Sequence, residues 1–187
     1  IGKSLGRYHI LKQLGEGGMA TVYKAYDTSI ERDVAIKVIR SDQFVGGFEK
    51  QTLTRFKREA KALAKLNHPN IVTVYDFGQF EDLPYLVMEY MPGGTLKEKL
   101  STMLPWRKAF KLLLPIIEAL GFAHSQGVLH RDVKPSNILI TPSGEPLLSD
   151  FGIAKILDVT EGNTITLAGV GVGTPEYMAP EQGIGKK

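Results

Sequence analysis

Apolar and polar residues alternate along the first forty positions and again from about 71 to 89, whereas a helical period governs the stretch between them and much of the chain from 95 to 126. Tyr8, Ile10 and Leu14 lead into the turn Gly15-Glu16-Gly17-Gly18-Met19-Ala20, and Thr21-Val22-Tyr23 lead out of it, which predicts strand, turn, strand. Asp33 to Ile39 is an apolar strand run carrying one lysine, Lys37. Phe56, Ala60, Leu63 and Leu66 then recur at helical spacing until Asn67-His68-Pro69 stops them. Ile71 to Phe77 and Pro84 to Glu89 read as two more strands around the polar turn Gly78 to Asp82. The sum is a five-stranded antiparallel sheet with one helix.

Met91-Pro92-Gly93-Gly94 breaks this pattern, and Thr95 has the character of a helix N-cap. A long helix is predicted from about Trp106 to Gln126, between Pro105 and Gly127, with Pro115 expected to kink it and its apolar residues expected in the core. Ile138-Leu139-Ile140 and Pro146-Leu147-Leu148 form a short strand pair. The fold class is therefore α+β in two lobes: a sheet lobe over 1–91, a hinge at 92–94, and a mainly helical, incomplete lobe over 95–187.

Composition narrows the function classes. The 187 residues carry a net charge of +3, with Lys and Arg interspersed among acids, which argues against nucleic acid as a partner. The chain has no cysteine, so a disulfide framework and a thiolate metal site are excluded. The longest apolar run, Leu112 to Ile117, is interrupted by Pro115 and falls far short of the ~20 residues of a membrane span. A start at Ile1 without Met and an end at Lys187 without a closing element read as a fragment.

The candidate chemistry is concentrated between His130 and Gly152. Asp132, Lys134, Asn137 and Asp150 put two carboxylates, an amide and an ammonium on two loops joined by the short strand pair. Asp150 and Asn137 offer the hard oxygen ligands that Mg²⁺ takes alongside phosphate, which leaves Asp132 as a base. The Gly-rich turn suits a lid over phosphates, because glycine permits positive φ and close backbone approach to an anion. It is followed by a strand rather than a helix, so it is neither a dinucleotide loop nor a Walker loop. Lys37 within an apolar strand needs an acid or a cleft, and an ion pair with Glu59 on the following helix would satisfy both groups.

Gly15 to Val22, Val34-Ala35-Ile36-Lys37, Glu59, His130 to Asn137, Asp150-Phe151-Gly152 and Ala179-Pro180-Glu181 together resemble the signature set of eukaryotic-type protein kinases, in a form similar to bacterial Ser/Thr kinases. The resemblance implies ATP and Mg²⁺ as cofactors, with Mn²⁺ an alternative ion. It implies that Leu14, Gly15, Gly17, Gly18, Val22, Ala35, Lys37, Glu89, Met91 and Leu139 bind ATP, with Met88 as gatekeeper. By the same resemblance Lys37 is held by Glu59, Asn137 and Asp150 hold the metal, Asp132 takes the acceptor hydroxyl, and Lys134 neutralises the transferred phosphoryl group. A stack of Leu63, Tyr75, His130 and Phe151 is implied between the lobes, which makes His130 a packed histidine rather than a base.

The resemblance further implies protein substrates phosphorylated on Ser or Thr, selected at a platform around Thr174, and a cytoplasmic domain without membrane contact of its own. Phosphate on Thr166, or secondarily Thr164, is expected to dock on Arg131 and order the loop, with transfer in trans between two kinase molecules. Two departures accompany these expectations: Ala20 stands at the third glycine position, and the chain stops six residues after Glu181, which predicts that this stretch alone is not a competent enzyme. The rival readings are a pseudokinase or nucleotide-binding scaffold, disfavoured because every residue the chemistry requires is present, and a small-molecule phosphotransferase, disfavoured by Lys134-Pro135 and Ala179-Pro180-Glu181.

Overall fold

A computed structural model describes residues 2, 4–17, 20–40, 50–100, 103–151 and 175–180. Its first lobe is an antiparallel sheet. The strands β1 (Ser4–Leu5), β2 (Tyr8–Glu16), β3 (Ala20–Asp27), β4 (Arg32–Ile39), β5 (Val74–Phe80) and β6 (Leu83–Glu89) lie in the order β1-β2-β3-β4-β6-β5. Five of these are the predicted strands. The sixth, β1, is a two-residue edge strand folded back so that Leu5 pairs with Tyr8, too short to leave a periodic signal.

The helix α1 (Lys50–Leu63) packs on one face of the sheet through Phe56, Ala60 and Leu63, all buried with Ile39, Leu86 and Met88. The opposite face buries Tyr8, Ile10, Ala25, Val34, Ile36 and Val87. Period-two alternation thus supplies two apolar faces from one set of strands. The turn expected at Gly78 to Asp82 is tighter: β5 runs on to Phe80, and only Glu81 and Asp82 turn, with φ of 45° and 64°. Gly78 lies inside the strand, where the Tyr85 ring crosses its α-carbon and an added Cβ would sit 2.6 Å from the ring carbon bearing the hydroxyl.

Beyond residue 90 come α2 (Leu96–Lys99), α3 (Trp106–Ser125), β7 (Ile138–Ile140) and β8 (Pro146–Leu148). Thr95 caps α2 as expected, its hydroxyl accepting from the Glu98 N–H at 3.3 Å while the Glu98 carboxylate accepts from the Thr95 N–H at 3.2 Å. The helix α3 continues through Pro115. Its apolar residues are not all core: Ile116, Ala119 and Ala123 are buried, but Trp106, Phe110, Leu113, Leu114 and Ile117 are exposed, because no element among the described residues covers that face. Within the described residues no helix is long and apolar enough to cross a membrane.

The lobes are joined by backbone hydrogen bonds. The Val72 N–H donates to the Leu148 carbonyl at 2.9 Å, the Leu148 N–H to the Asn70 carbonyl at 2.8 Å, and the Ile140 N–H to the Gly94 carbonyl at 2.9 Å. Asn70 adds its amide, donating to the Pro146 carbonyl at 2.9 Å. β7 and β8 are thereby clamped between the 70–72 segment and the 93–95 segment, which holds the loops at their ends in place. Gly93 permits this close approach, since a Cβ there would overlap the Ile140 carbonyl. Gly93→Ala should therefore destabilise the protein by about 1–3 kcal/mol, as overpacking does. Chemical denaturation is the check, and an unchanged unfolding midpoint would contradict the clamp.

Candidate active site

Strand β4 places Lys37 among buried Ala35, Ile36 and Ile39, and β8 leads into Ser149-Asp150. The Lys37 Nζ lies 2.8 Å from Asp150 Oδ1, an ion pair between groups 16% and 30% exposed. This corrects the expected pairing: among the described residues Glu59 forms no ion pair, and Lys37 is neutralised by Asp150 instead. Asp150 reaches further because its backbone adopts φ 59°, a left-handed conformation that aims its carboxylate back at β4.

Lys134 and Asn137 both donate to Asp132. Lys134 Nζ is 2.8 Å from its Oδ2, and Asn137 Nδ2 donates to the same oxygen at 2.9 Å and to the Asp132 carbonyl at 2.7 Å. With both amide hydrogens of Asn137 engaged, its Oδ1 remains as an acceptor on the neighbouring turn, Pro135–Asn137. Together with Asp150 it forms a set of two hard oxygen donors, and no group of three or more His, Cys, Asp or Glu gathers among the described residues. Two protein oxygens completed by phosphate and water fit Mg²⁺ better than a metal that needs a full protein cage.

His130 is 1% exposed, and its two ring nitrogens organise the loop. Nδ1 accepts from the Asp132 N–H at 3.2 Å, which places the ring proton on Nε2, and Nε2–H donates to the Ser149 carbonyl at 2.8 Å. Ser149, which carries no signal in the sequence beyond a polar residue after two buried leucines, returns its own N–H and hydroxyl to the Asn137 carbonyl at 2.8 and 3.0 Å. One closed network thus fixes Asp132, Asn137 and Asp150 relative to one another. Arg131, with φ 63°, and Asp150 are held in a conformation that costs a non-glycine residue roughly 1 kcal/mol or more, the kind of strain that collects at functional loops.

Of the expected interlobe stack, the Phe151 and His130 rings lie 4.6 Å apart, and Leu63 and Phe151 share one buried cluster. Tyr75 is not part of it. It packs against the other face of the sheet, under the Arg32 guanidinium, and its neighbour Val74 takes the inward place. An irregularity in the β5–β6 register between Val74 and Asp76 shifts the alternation there, and a one-residue shift exchanges the faces.

Some of the expected nucleotide-binding residues share one cluster. Ala35 and Met88 are buried in one cluster with Val22, Met91 and Leu139 partly buried against it, while Leu14 stands exposed near the end of β2. The Glu89 N–H is committed to the Thr73 carbonyl at 2.9 Å, so only its carbonyl is available to a ligand edge. Neither Gly15 nor Gly17 has positive φ, and a Cβ on Gly15 would meet nothing within 4 Å. The protein itself therefore gives no reason for glycine at 15, and open space above a backbone suits a bound group that packs on it. Gly18, Thr164, Thr166 and Thr174, together with Gly152 and Glu181, lie outside the described residues.

Burial lowers the His130 pKa below its ordinary 6.5, against weaker opposing effects of the Ser149 hydrogen bond, Asp132 and Asp150. The neutral ring is the one the network uses, so the folded state gains nothing from protonation that the unfolded chain accepts near pH 6.5. Stability should be full above that pH and fall as pH drops below it. Melting temperatures measured from pH 8 to 5 should decline in the wild type and decline less in His130→Phe; parallel curves would show that His130 is not the titrating group.

Comparison with known proteins agrees with this geometry. The family described as protein kinase domain matches residues 8–185. The serine/threonine-protein kinase PrkC of Bacillus subtilis is 43% identical over 188 residues, covering 99% of this chain, and PknB of Mycolicibacterium smegmatis is 43% identical over 186 residues, covering 96%. The chain spans only 28% and 29% of those two relatives. Among solved structures, the Mycobacterium tuberculosis PknI kinase domain (C20A mutant) superposes with a TM-score of 0.78 at 29% identity, covering all of this chain and 68% of that one. The PpkA-294 apo form superposes with a TM-score of 0.70 at 31% identity, over 83% of this chain and 62% of that one. With a catalytic loop, a lysine strand and a two-lobed frame all in agreement, the chain belongs to the protein kinase domain family, among kinases of the bacterial serine/threonine type.

Proposed function

We propose that the protein transfers the γ-phosphoryl group of ATP to serine or threonine hydroxyls of protein substrates. The observation that carries this reading is the closed network that ties Asp132, Asn137 and Asp150 together and brings Lys37 and Lys134 onto their carboxylates. Lys37 offers its ammonium to nucleotide phosphates, and Glu59, 22 positions further along, is the acid to which it can turn when it leaves Asp150. Asn137 Oδ1 and the Asp150 carboxylate would hold Mg²⁺, which would supply positive charge to screen that of the phosphates. Asp132 accepts a hydrogen bond from the acceptor hydroxyl, and Lys134, already 2.8 Å from Asp132, lies where charge on the transferred group would develop. Ala35, Val22 and Leu139 provide apolar surface for the purine.

In the same reading, 92–94 is the hinge between lobes, Thr174 belongs to the acceptor platform, and phosphate on Thr166 or Thr164, placed by a second kinase molecule, orders the loop. A pseudokinase is disfavoured because Lys37, Asp132, Asn137 and Asp150 are all present and all held by defined contacts.

The test is transfer of label from γ-labelled ATP to a generic Ser/Thr acceptor protein by the full-length protein that contains this chain, in the presence of Mg²⁺, with phosphoamino-acid analysis of the product. Phosphoserine or phosphothreonine should appear, and Asp132→Asn and Lys37→Met should each lower the rate at least a hundredfold with circular dichroism unchanged. Undiminished turnover in either variant would refute the role given to that residue, and a wild type that binds ATP without transferring it would favour the scaffold reading. Gly15→Ala should weaken ATP binding several-fold at unchanged melting temperature, since nothing in the protein opposes the added methyl. Unchanged ATP affinity would contradict the lid.

A further inference from the structure

Basic residues that look interspersed along the sequence are gathered on one helix. From 50 to 65 the chain carries Lys50, Arg55, Lys57, Arg58, Lys61 and Lys65 against Glu59 alone. Spacings of three and four residues bring Lys57, Arg58, Lys61 and Lys65 to one side of α1 and its C-terminal turn. There they line a cavity of about 660 Å³ with the apolar Ala62, Leu66 and Val128. Gln126 and Val128 form the wall contributed by the other lobe, in the turn just before His130.

These four cations are all exposed, and none of their side chains forms an ion pair or hydrogen bond among the described residues. Other cations of the same lobe are paired: Arg7 with Asp27, Lys24 with Asp33, Arg40 with Glu16. Lys57 and Lys61 stand four residues apart on α1, where like charges repel by a few tenths of a kcal/mol, and Lys65 adds a third charge in the turn that follows. The repulsion has no compensation within the described protein, and an anionic partner would relieve it.

We propose that this groove docks an acidic segment of a protein substrate, with Asp or Glu side chains on the cationic rim and one or two aliphatic residues against Ala62, Leu66 and Val128. Its concave shape and apolar lining suit a peptide rather than a membrane surface, and no aromatic side chain lines it to stack a nucleobase. A second copy of this chain is a poor complement, because its net charge is +3 and its longest acidic run is Glu81-Asp82. One wall adjoins the active site in sequence, since the 126–128 turn runs into His130 and Asp132. A segment held here raises the effective concentration of an acceptor tethered to it. The docking rests on the kinase reading only for this consequence.

The test uses the purified full-length protein that contains this chain and a labelled peptide of the pattern Glu-Glu-Leu-Glu-Glu-Leu joined by a flexible linker to a serine acceptor. Fluorescence anisotropy should show salt-sensitive binding that weakens at least tenfold in the Lys61→Glu, Lys65→Glu double variant, with melting temperature unchanged. For the same variant, kcat/KM should fall comparably for the linked peptide and stay the same for the acceptor peptide alone. Equal binding by wild type and variant would overturn the proposal. So would equally tight binding of a single-stranded oligonucleotide or of phosphatidylserine vesicles, which would make the patch a general polyanion surface. Binding that persists without transfer to either peptide supports the groove while refuting the catalytic reading, so the two failures are distinguishable.

Discussion

The ion pair between Lys37 and Asp150 joins residues 113 positions apart and bridges the two lobes at the point where the chemistry is concentrated. A lone ammonium emerging from an apolar strand would be costly to desolvate, and so would a lone carboxylate beside a buried phenylalanine. Each satisfies the other at 2.8 Å. The arrangement works only because β4 and β8 are rigidly placed, the first by two sheet neighbours and the second by hydrogen bonds from the 70–72 segment. A nucleotide with its metal offers both partners stronger alternatives, phosphate for the lysine and the ion for the carboxylate. In the proposed function the pair holds the two groups close until a nucleotide and its metal separate them.

The loops are kept in shape by hydrogen bonds rather than by packing. His130, neutral and buried, connects Asp132 to Ser149, and Ser149 connects back to Asn137. This lets three functional residues ride on segments with little regular structure of their own, and explains how Arg131 and Asp150 can remain in a strained backbone conformation. Loss of one member would leave others unpaired in a low-dielectric setting, so the network is expected to weaken as a unit.

Much of this was legible in the sequence. The strands, α1, the Thr95 cap and the β7–β8 pair derive from periodicity and turn chemistry, which are local properties. The residues of the catalytic loop were legible because their types and order are chemically unusual. The features that were not legible depend on register or on distance in space. Tyr75 looked like an interlobe residue, but the irregular register of β5 turns it outward and puts Val74 inside. The sequence points to Glu59, an acid on the packed helix downstream, as the partner of Lys37, whereas in the structure Lys37 pairs with Asp150, whose backbone is left-handed. Ser149 was overlooked because a single serine after leucines carries no pattern. The basic face of α1 was hidden by reading charge along the chain instead of around the helix.

The central claim, that metal and nucleotide displace Lys37 from Asp150, is tested most directly by calorimetric titration of ATP with and without Mg²⁺ in the wild type and in Asp150→Asn. The account predicts that Mg²⁺ tightens ATP binding at least tenfold in the wild type and hardly at all in the variant, where no carboxylate remains to hold the ion or to retain the lysine. An equal effect of Mg²⁺ in both proteins would contradict it.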